Sequence, residues 1–335
     1  MTTNTRITLT QRPDGMPQTS DFGLIEEEIN DIPPGCVLVK ADTLSVDAFI
    51  RTTLDAREDS HHGAADLGTP VVALGVGEVV QSSAEGFAVG DWVTGPLMAQ
   101  THAVLPEAMV QKISPAANIP PSTYLGILGM TTGLTAWAGM VKVGEVKADD
   151  TVVVSGAAGA VGTVASQLAK ARGATVIGIA GGTEKGAYLT EELGLDHAID
   201  YKAGDVRAEL AKLAPSGVDL FFDNVGGEIL DDVLDNLAMN GTIVICGAIS
   251  QYQNMEEITG PKLYLRVAER NAKMCGSTVD HYMTDFPQGV EELTQLMTDG
   301  QIKLREQVVE GVERFPEALI TLLSGGHTGK LLVKP

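Results

Sequence analysis

The sequence predicts an α/β protein with a doubly wound parallel sheet in its middle and a β-rich, partly barrel-like portion before it. Three observations carry this. Between Thr151 and Ser277, short unbroken apolar runs alternate with helical stretches, the pattern of parallel strands covered by helices on both faces. Before Pro120, short apolar strands are punctuated by Gly and Pro instead. The length, 335 residues, exceeds what one ordinary core holds.

In chain order, 35–40 reads as an apolar strand after Pro33-Pro34, and 69–81 as an apolar stretch broken by Gly75 and Gly77. Residues 86–93 read as a turn at Gly90-Asp91 running into a strand. Past Pro120-Pro121, residues 122–141 read as helix, with apolar residues on several faces. Strands follow at 151–155, 175–180, 197–200, 218–222, 242–246 and 272–277, with helices at 161–172, 184–193 and 206–213. After Gln301 the alternation stops, leaving strands at 307–310 and 330–334 around a helix at 316–323. The expected division is therefore 1–120, 121–300, and a tail at 301–335 that returns to the first domain.

Hydrophobic residues make up 44% of the chain but aromatics only 4%, so aliphatic side chains must fill the cores. A net charge of −21 argues against nucleic acid or an anionic membrane as partner. Cys36, Cys246 and Cys275 are scattered and form no CxxC pair, as expected of a reduced chain in a reducing compartment. Residues 1–10 hold no apolar h-region, and no later run is apolar enough for a membrane span. A cytoplasmic location is the expectation.

The sharpest local signal is Thr151-Val-Val-Val-Ser-Gly-Ala-Ala-Gly-Ala-Val-Gly162, a strand running into a Gly-rich turn that opens a helix. Gly159 lets backbone amides approach a pyrophosphate, and Gly162 lets the helix pack closely on its strand. Ala157 stands where GxGxxG has its first Gly, preceded here by Gly156. Set between strand and helix, the motif marks a dinucleotide-binding Rossmann domain. NAD sites usually place an acid at the end of the second strand for the ribose 2′-OH. Here that strand ends Ala180-Gly181-Gly182-Thr183-Glu184-Lys185. Gly181 and Gly182 leave room for a 2′-phosphate and Lys185 supplies a counter-charge, which points to NADPH. Glu184, at a helix start, serves the helix dipole.

With that loop in place, the chain resembles the medium-chain dehydrogenase/reductase superfamily, and within it the zinc-independent, NADPH-dependent alkenal/one reductases. This branch includes the prostaglandin reductases (leukotriene hydroxydehydrogenases) and bacterial curcumin reductases. Arg12-Pro13 and Asp21-Phe-Gly-Leu24 look like its opening pattern, Leu44-Ser-Val-Asp-Ala-Phe-Ile-Arg51 its LSxDPYMR segment, and Gly133-Leu-Thr-Ala-Trp137 its GLTAY segment. Asp200-Tyr-Lys202, Phe222-Asp-Asn-Val-Gly-Gly227 and Cys246-Gly-Ala-Ile-Ser250 follow in order. The resemblance implies a GroES-like catalytic domain split between the N-terminal part and the tail, a Rossmann domain between them, and a homodimer. It carries cofactor contacts onto the loop residues Gly156, Ala158, Gly159, Ala160, Val161 and Gly162, and onto Gly181, Lys185 and Tyr201 at the 2′-phosphate. Further contacts fall on Asn224 and on the backbone of Cys246, Gly247, Ala248 and Ile249. His327 stands where the family often has Asn. Two other departures are Ala48-Phe49 in place of Pro-Tyr, and Met130-Thr-Thr-Gly133, which with Gly129 before it is one residue longer than GMPG.

Zinc relatives in the superfamily carry a Gly-His-Glu segment and a four-Cys lobe. The corresponding stretch here, Val72-Ala-Leu-Gly-Val-Gly-Glu78, has no His, and three cysteines cannot form the lobe. No metal is expected. His61 and His62 are loop residues or line a substrate entrance with Phe49. Cys246 is a small apolar filler or a cleft residue. Tyr252, just past a strand end, is a loop phenol or, as the resemblance implies, a substrate-side catalytic group. The implied reaction is reduction of the C=C bond of an α,β-unsaturated ketone or aldehyde, with hydride arriving at the β-carbon and Tyr252 hydrogen-bonding the developing enolate oxygen. The alternatives are an NADPH-dependent quinone oxidoreductase and a non-catalytic NADPH-binding scaffold or sensor.

Overall fold

A computed structural model describes residues 2–57, 61–116 and 119–335. Two compact units emerge, Met1–Leu125 with Glu306–Pro335, and Gly126–Arg305.

The second unit is built on a parallel sheet that has six strands among the described residues, in the order His197–Asp200, Thr175–Ala180, Thr151–Ser155, Val218–Asp223, Leu237–Ile245, Lys273–Gly276. In chain order this is 3-2-1-4-5-6, the doubly wound arrangement. Val152, Val153, Val154, Ile177, Ile179, Phe221, Phe222, Ile243 and Val244 are all fully buried, which explains why these strands read as unbroken apolar runs. The carboxyl ends of the two central strands, at Ser155 and Asp223, flank the point where strand order reverses.

The helix expected at 122–141 is shorter and differently wound. Pro121–Tyr124 is a single 3-10 turn, and the helix runs from Met130 to Val143 with wide π-type turns at Met130–Leu134 and Ala138–Val143. Gly126 and Gly129 interrupt the earlier stretch, and Gly133 packs so tightly on the Ile127 carbonyl that no side chain fits there.

The first unit holds a mixed sheet, seven-stranded among the described residues, which follows the path Glu306–Glu310, Lys330–Lys334, Cys36–Ser45, Gly75–Ser82, Trp92–Gly95, Gln111–Ile113; His102–Pro106 also pairs with Cys36–Ser45. The stretch expected as a strand over 69–81 begins only at Gly75, because Thr69–Leu74 runs as loop. A separate hairpin joins Thr2–Leu9 to Phe22–Ile29. Strand Lys330–Lys334 lies antiparallel to Cys36–Ser45, with Leu332 opposite Ser45. Beside this seam Lys330 Nζ, 1% exposed, donates to Asp47 Oδ1 at 2.7 Å, and the Ser45 hydroxyl donates to the other Asp47 oxygen.

Candidate functional site

The glycine loop turns sharply at Gly156, whose φ of +58° favours a residue without Cβ. Ala157 N–H is tied to Ile179 O at 3.1 Å and Gly159 N–H to Gly156 O at 2.9 Å, which fixes the loop against the second strand. Helix Ala160–Ala171 starts at once, with Gly159 as its N-cap. A Cβ on Gly162 would collide with the Gly156 carbonyl and come within 2.8 Å of Ala157 Cα, so glycine is what allows the first turn to sit on the loop. The amides of Ala160, Val161 and Gly162 belong to the first helical turn and have no intrahelical acceptor. They offer donors and partial positive charge to an anion.

Sequence reasoning overlooked Asp223, which organises the rest of the site. Its Oδ1 accepts from Ser155 Oγ at 2.7 Å and from the Val225 and Gly226 amides at 3.0 Å each. Its backbone carbonyl accepts from Cys246 N–H at 2.9 Å and Gly247 N–H at 3.0 Å. One residue thus pins three turns. Burial pushes its carboxyl above the usual range, against the lowering effect of those hydrogen bonds. Its other oxygen has no hydrogen-bond partner among the described residues. Asn224 adds a second tie to the first strand, donating from Nδ2 to Ser155 O at 2.8 Å, while its own amide donates to Ser155 Oγ.

Next to this hub, Ala248 N–H donates to Tyr252 Oη at 3.2 Å, so the phenol folds back over the Cys246–Ala248 turn. A Cβ on Gly247 would meet Tyr252 Oη at 3.1 Å and Asn224 O at 3.4 Å. Asn224, Gly247, Ala248, Ile249 and Tyr252 therefore converge at the carboxyl ends of two adjacent strands. Burial, then Cys246 and Asp223, push the phenol's pKa up against the lowering effect of the Ala248 amide, so it keeps its proton at neutral pH. Desolvation of the sulfur, with Asp223 nearby, pushes the Cys246 thiol up to about 12, which favours the protonated thiol at neutral pH.

At the end of the second strand, Gly181, Lys185 and Tyr201 stand together with a residue not singled out from the sequence, Lys202. Its stem and the Tyr201 ring lie beside Gly181. Desolvation, then repulsion from Lys202, lower the Lys185 pKa. An acid does reach this place from the third strand: Asp200 pairs with Ala180, but its Oδ1 accepts from the Gly182 amide at 2.8 Å and the Lys202 amide at 2.9 Å. Those amides hold its carboxyl below the usual range. The cradle without Cβ atoms, the free helix amides and the neighbouring cations fit a dinucleotide with a 2′-phosphate.

The remaining candidates lie in the other unit. The Phe49 ring is 4.7 Å from that of His62, and His61 meets His62 edge-on at 4.8 Å. His327 is partly buried in the turn before Lys330–Lys334. Among the described residues no group of three or more His, Cys, Asp or Glu side chains is gathered to hold a metal ion. No described helix is long and apolar enough to cross a membrane.

Known proteins resemble the chain over its whole length. Residues 5–113 match the family described as the N-terminal domain of oxidoreductase, and 160–295 the family described as zinc-binding dehydrogenase. YfmJ of Bacillus subtilis is 39% identical over 98% of this chain and 97% of its own length. The NADP(+)-dependent 2-alkenal reductase of Nicotiana tabacum is 36% identical, covering 98% and 97%. CurA from Vibrio vulnificus, solved in complex with NADPH, superposes with a TM-score of 0.93 at 34% identity, covering 98% of each chain. On this end-to-end likeness, with the 3-2-1-4-5-6 sheet and its glycine loop, the chain belongs to the medium-chain dehydrogenase/reductase superfamily.

Proposed function

We propose that this chain is an NADPH-dependent reductase of the C=C bond of α,β-unsaturated ketones and aldehydes. The observation that carries the reading is the dinucleotide cradle ending in a lysine pair rather than a free carboxylate, in a chain that matches a 2-alkenal reductase from end to end. Bound NADPH supplies the hydride. The amides of Ala158, Ala160, Val161 and Gly162 hold its pyrophosphate, and Gly181, Lys185 and Tyr201 surround its 2′-phosphate. Asn224 and the Cys246–Ile249 backbone orient its other end, and His327 is a further residue assigned to the cofactor. The Tyr252 hydroxyl donates to the substrate carbonyl oxygen as that oxygen gains negative charge. Phe49 and His61 are the further residues assigned to the substrate. No nucleophile or metal is required for these roles.

The chain also acts as a homodimer in a cytoplasmic setting. Support for the dimer is the sheet edge at Lys273–Gly276, where Met274 is exposed, together with the exposed Tyr264 and Leu265 of the preceding segment; light scattering tests it. Support for the compartment is the three free cysteines.

The functional test follows NADPH consumption with a simple enone, with a quinone, and with no acceptor, and identifies the product. A saturated carbonyl product from the enone is expected. Turnover of the quinone alone would make the chain a quinone oxidoreductase. Binding of NADPH with no turnover of either would make it a scaffold or sensor.

A further inference from the structure

The positive charge at the end of strand Thr175–Ala180 does not reside in Lys185 alone. A Cβ added to Gly181 would come within 2.8 Å of both the Lys202 Cε and a Tyr201 ring carbon, so the Lys202 stem lies across that glycine. Its ammonium stands 5.9 Å from the Tyr201 ring centroid. The charge of Lys202 is felt at both Lys185 and Asp200. The two lysines repel one another strongly enough to contribute to the lowered Lys185 pKa, after desolvation. Asp200, the acid nearest in sequence, is turned toward the Gly182 and Lys202 amides, where its Oδ1 is held at 2.8 and 2.9 Å.

Like charges disfavour one another, and a multiply charged anion bound beside them relieves that repulsion. Asp200 works the other way, since a carboxylate so near repels a phosphate. Lys185 therefore has to offset both its own desolvation and Asp200, and a second cation makes the place net positive. Glu184, one residue before Lys185, adds to the same need.

We propose that Lys202 is the second cation of the 2′-phosphate site and a determinant of the preference for NADPH over NADH. This rests on the NADPH reading above and deepens it. Lys202 is exposed and follows the third strand, its stem lying against Gly181, while Lys185 is carried by the 183–187 helix.

The test is calorimetric binding of 2′,5′-ADP and of 5′-AMP to the native chain, Lys202→Ala, Lys202→Arg and Lys185→Ala. These probes differ in the 2′-phosphate, and binding is read without turnover. Lys202→Ala is expected to weaken 2′,5′-ADP by about tenfold, the low end for a charge-assisted contact at an exposed site, and to leave 5′-AMP unchanged. Lys202→Arg is expected to stay within about threefold of native, since charge and reach are kept. If Lys185→Ala weakens 2′,5′-ADP while Lys202→Ala does not, Lys202 is a solvated lysine and the inference falls alone. If the native chain binds 2′,5′-ADP no better than 5′-AMP, the NADPH reading falls and takes the inference with it.

Discussion

Replacing Tyr252 by Phe removes two interactions, and they can be separated. The first is the hydroxyl as donor to the substrate oxygen. Burial raises the phenol's pKa, so the O–H is present throughout an ordinary assay range and its loss is a pure loss of donor. Deleting one oxyanion donor typically costs about 2.7–4 kcal/mol, roughly a hundredfold to a thousandfold in kcat. The second is the hydroxyl as acceptor for Ala248 N–H, at 3.2 Å. That distance is long for an N–H···O bond, so its net worth is about 1 kcal/mol or less. Because Ala248 belongs to the turn proposed to orient the cofactor, this part falls on NADPH binding, as a Kd increase of up to about fivefold. The expected split is thus a kcat reduced near the hundredfold end and a Kd barely moved. Steady-state kinetics with a simple enone and fluorescence titration with NADPH measure the two, and a deuterated cofactor reports whether hydride transfer limits kcat. An unchanged kcat with an expressed isotope effect would refute the donor role. A Kd change as large as the kcat change would reduce Tyr252 to a brace for the 246–249 turn.

Lys330→Ala strands Asp47 in a site where the pair is only 1% and 8% exposed as side chains. Breaking a buried pair costs about 3–5 kcal/mol, and the surviving Ser45 bond places the expectation at the low end, read as a lower urea midpoint; Lys330→Met with Asp47→Leu should recover most of it. NADPH affinity should fall as pH rises through the lowered Lys185 pKa, because the ammonium that faces the phosphate loses its proton, while NADH affinity stays flat; parallel pH profiles for the two would contradict this. Elemental analysis of the purified protein should find no stoichiometric zinc, and a chelator should leave activity intact, since 72–78 offers no histidine ligand.

How much of this was readable before the structure depended on where each residue's partners lie. The central strands were legible because Val152–Val154 and Leu220–Phe222 are covered on both faces and must be apolar throughout. The Thr2–Leu9 and Phe22–Ile29 hairpin was not, because Glu26, Glu27 and Glu28 run consecutively and erase the alternation that marks a half-buried strand. Helix Phe286–Thr298 was hidden by residues that read as breakers. Pro287 sits in its first turn, where proline is tolerated, and Gly289 is buried where a Cβ would press on Leu134 and Trp137 at 2.9 and 3.0 Å. The same divide runs through the candidate site. The glycine loop is local, so spacing alone exposes it. Asp223 works by collecting amides and a hydroxyl from three separate turns, and no window of sequence contains them. Lys202 lies in a polar loop that looks like any solvated turn, and only the folding of that loop across Gly181 distinguishes it.

The seam between Lys330–Lys334 and Cys36–Ser45 imposes an order of events during synthesis. Translation proceeds from the N-terminus, and segments fold as their partners emerge. Gly126–Arg305 contains every strand of its parallel sheet and can close while later residues are still being made. The other unit must finish last: the Leu44–Ser45 end of its Cys36–Ser45 strand has one neighbour missing, and Asp47 its cation, until a segment some 283 residues downstream arrives. For that interval the apolar Leu44 end of the strand lacks its final partner, so nascent chains arrested before residue 330 should draw chaperones to this earlier-made sheet rather than to the newest residues.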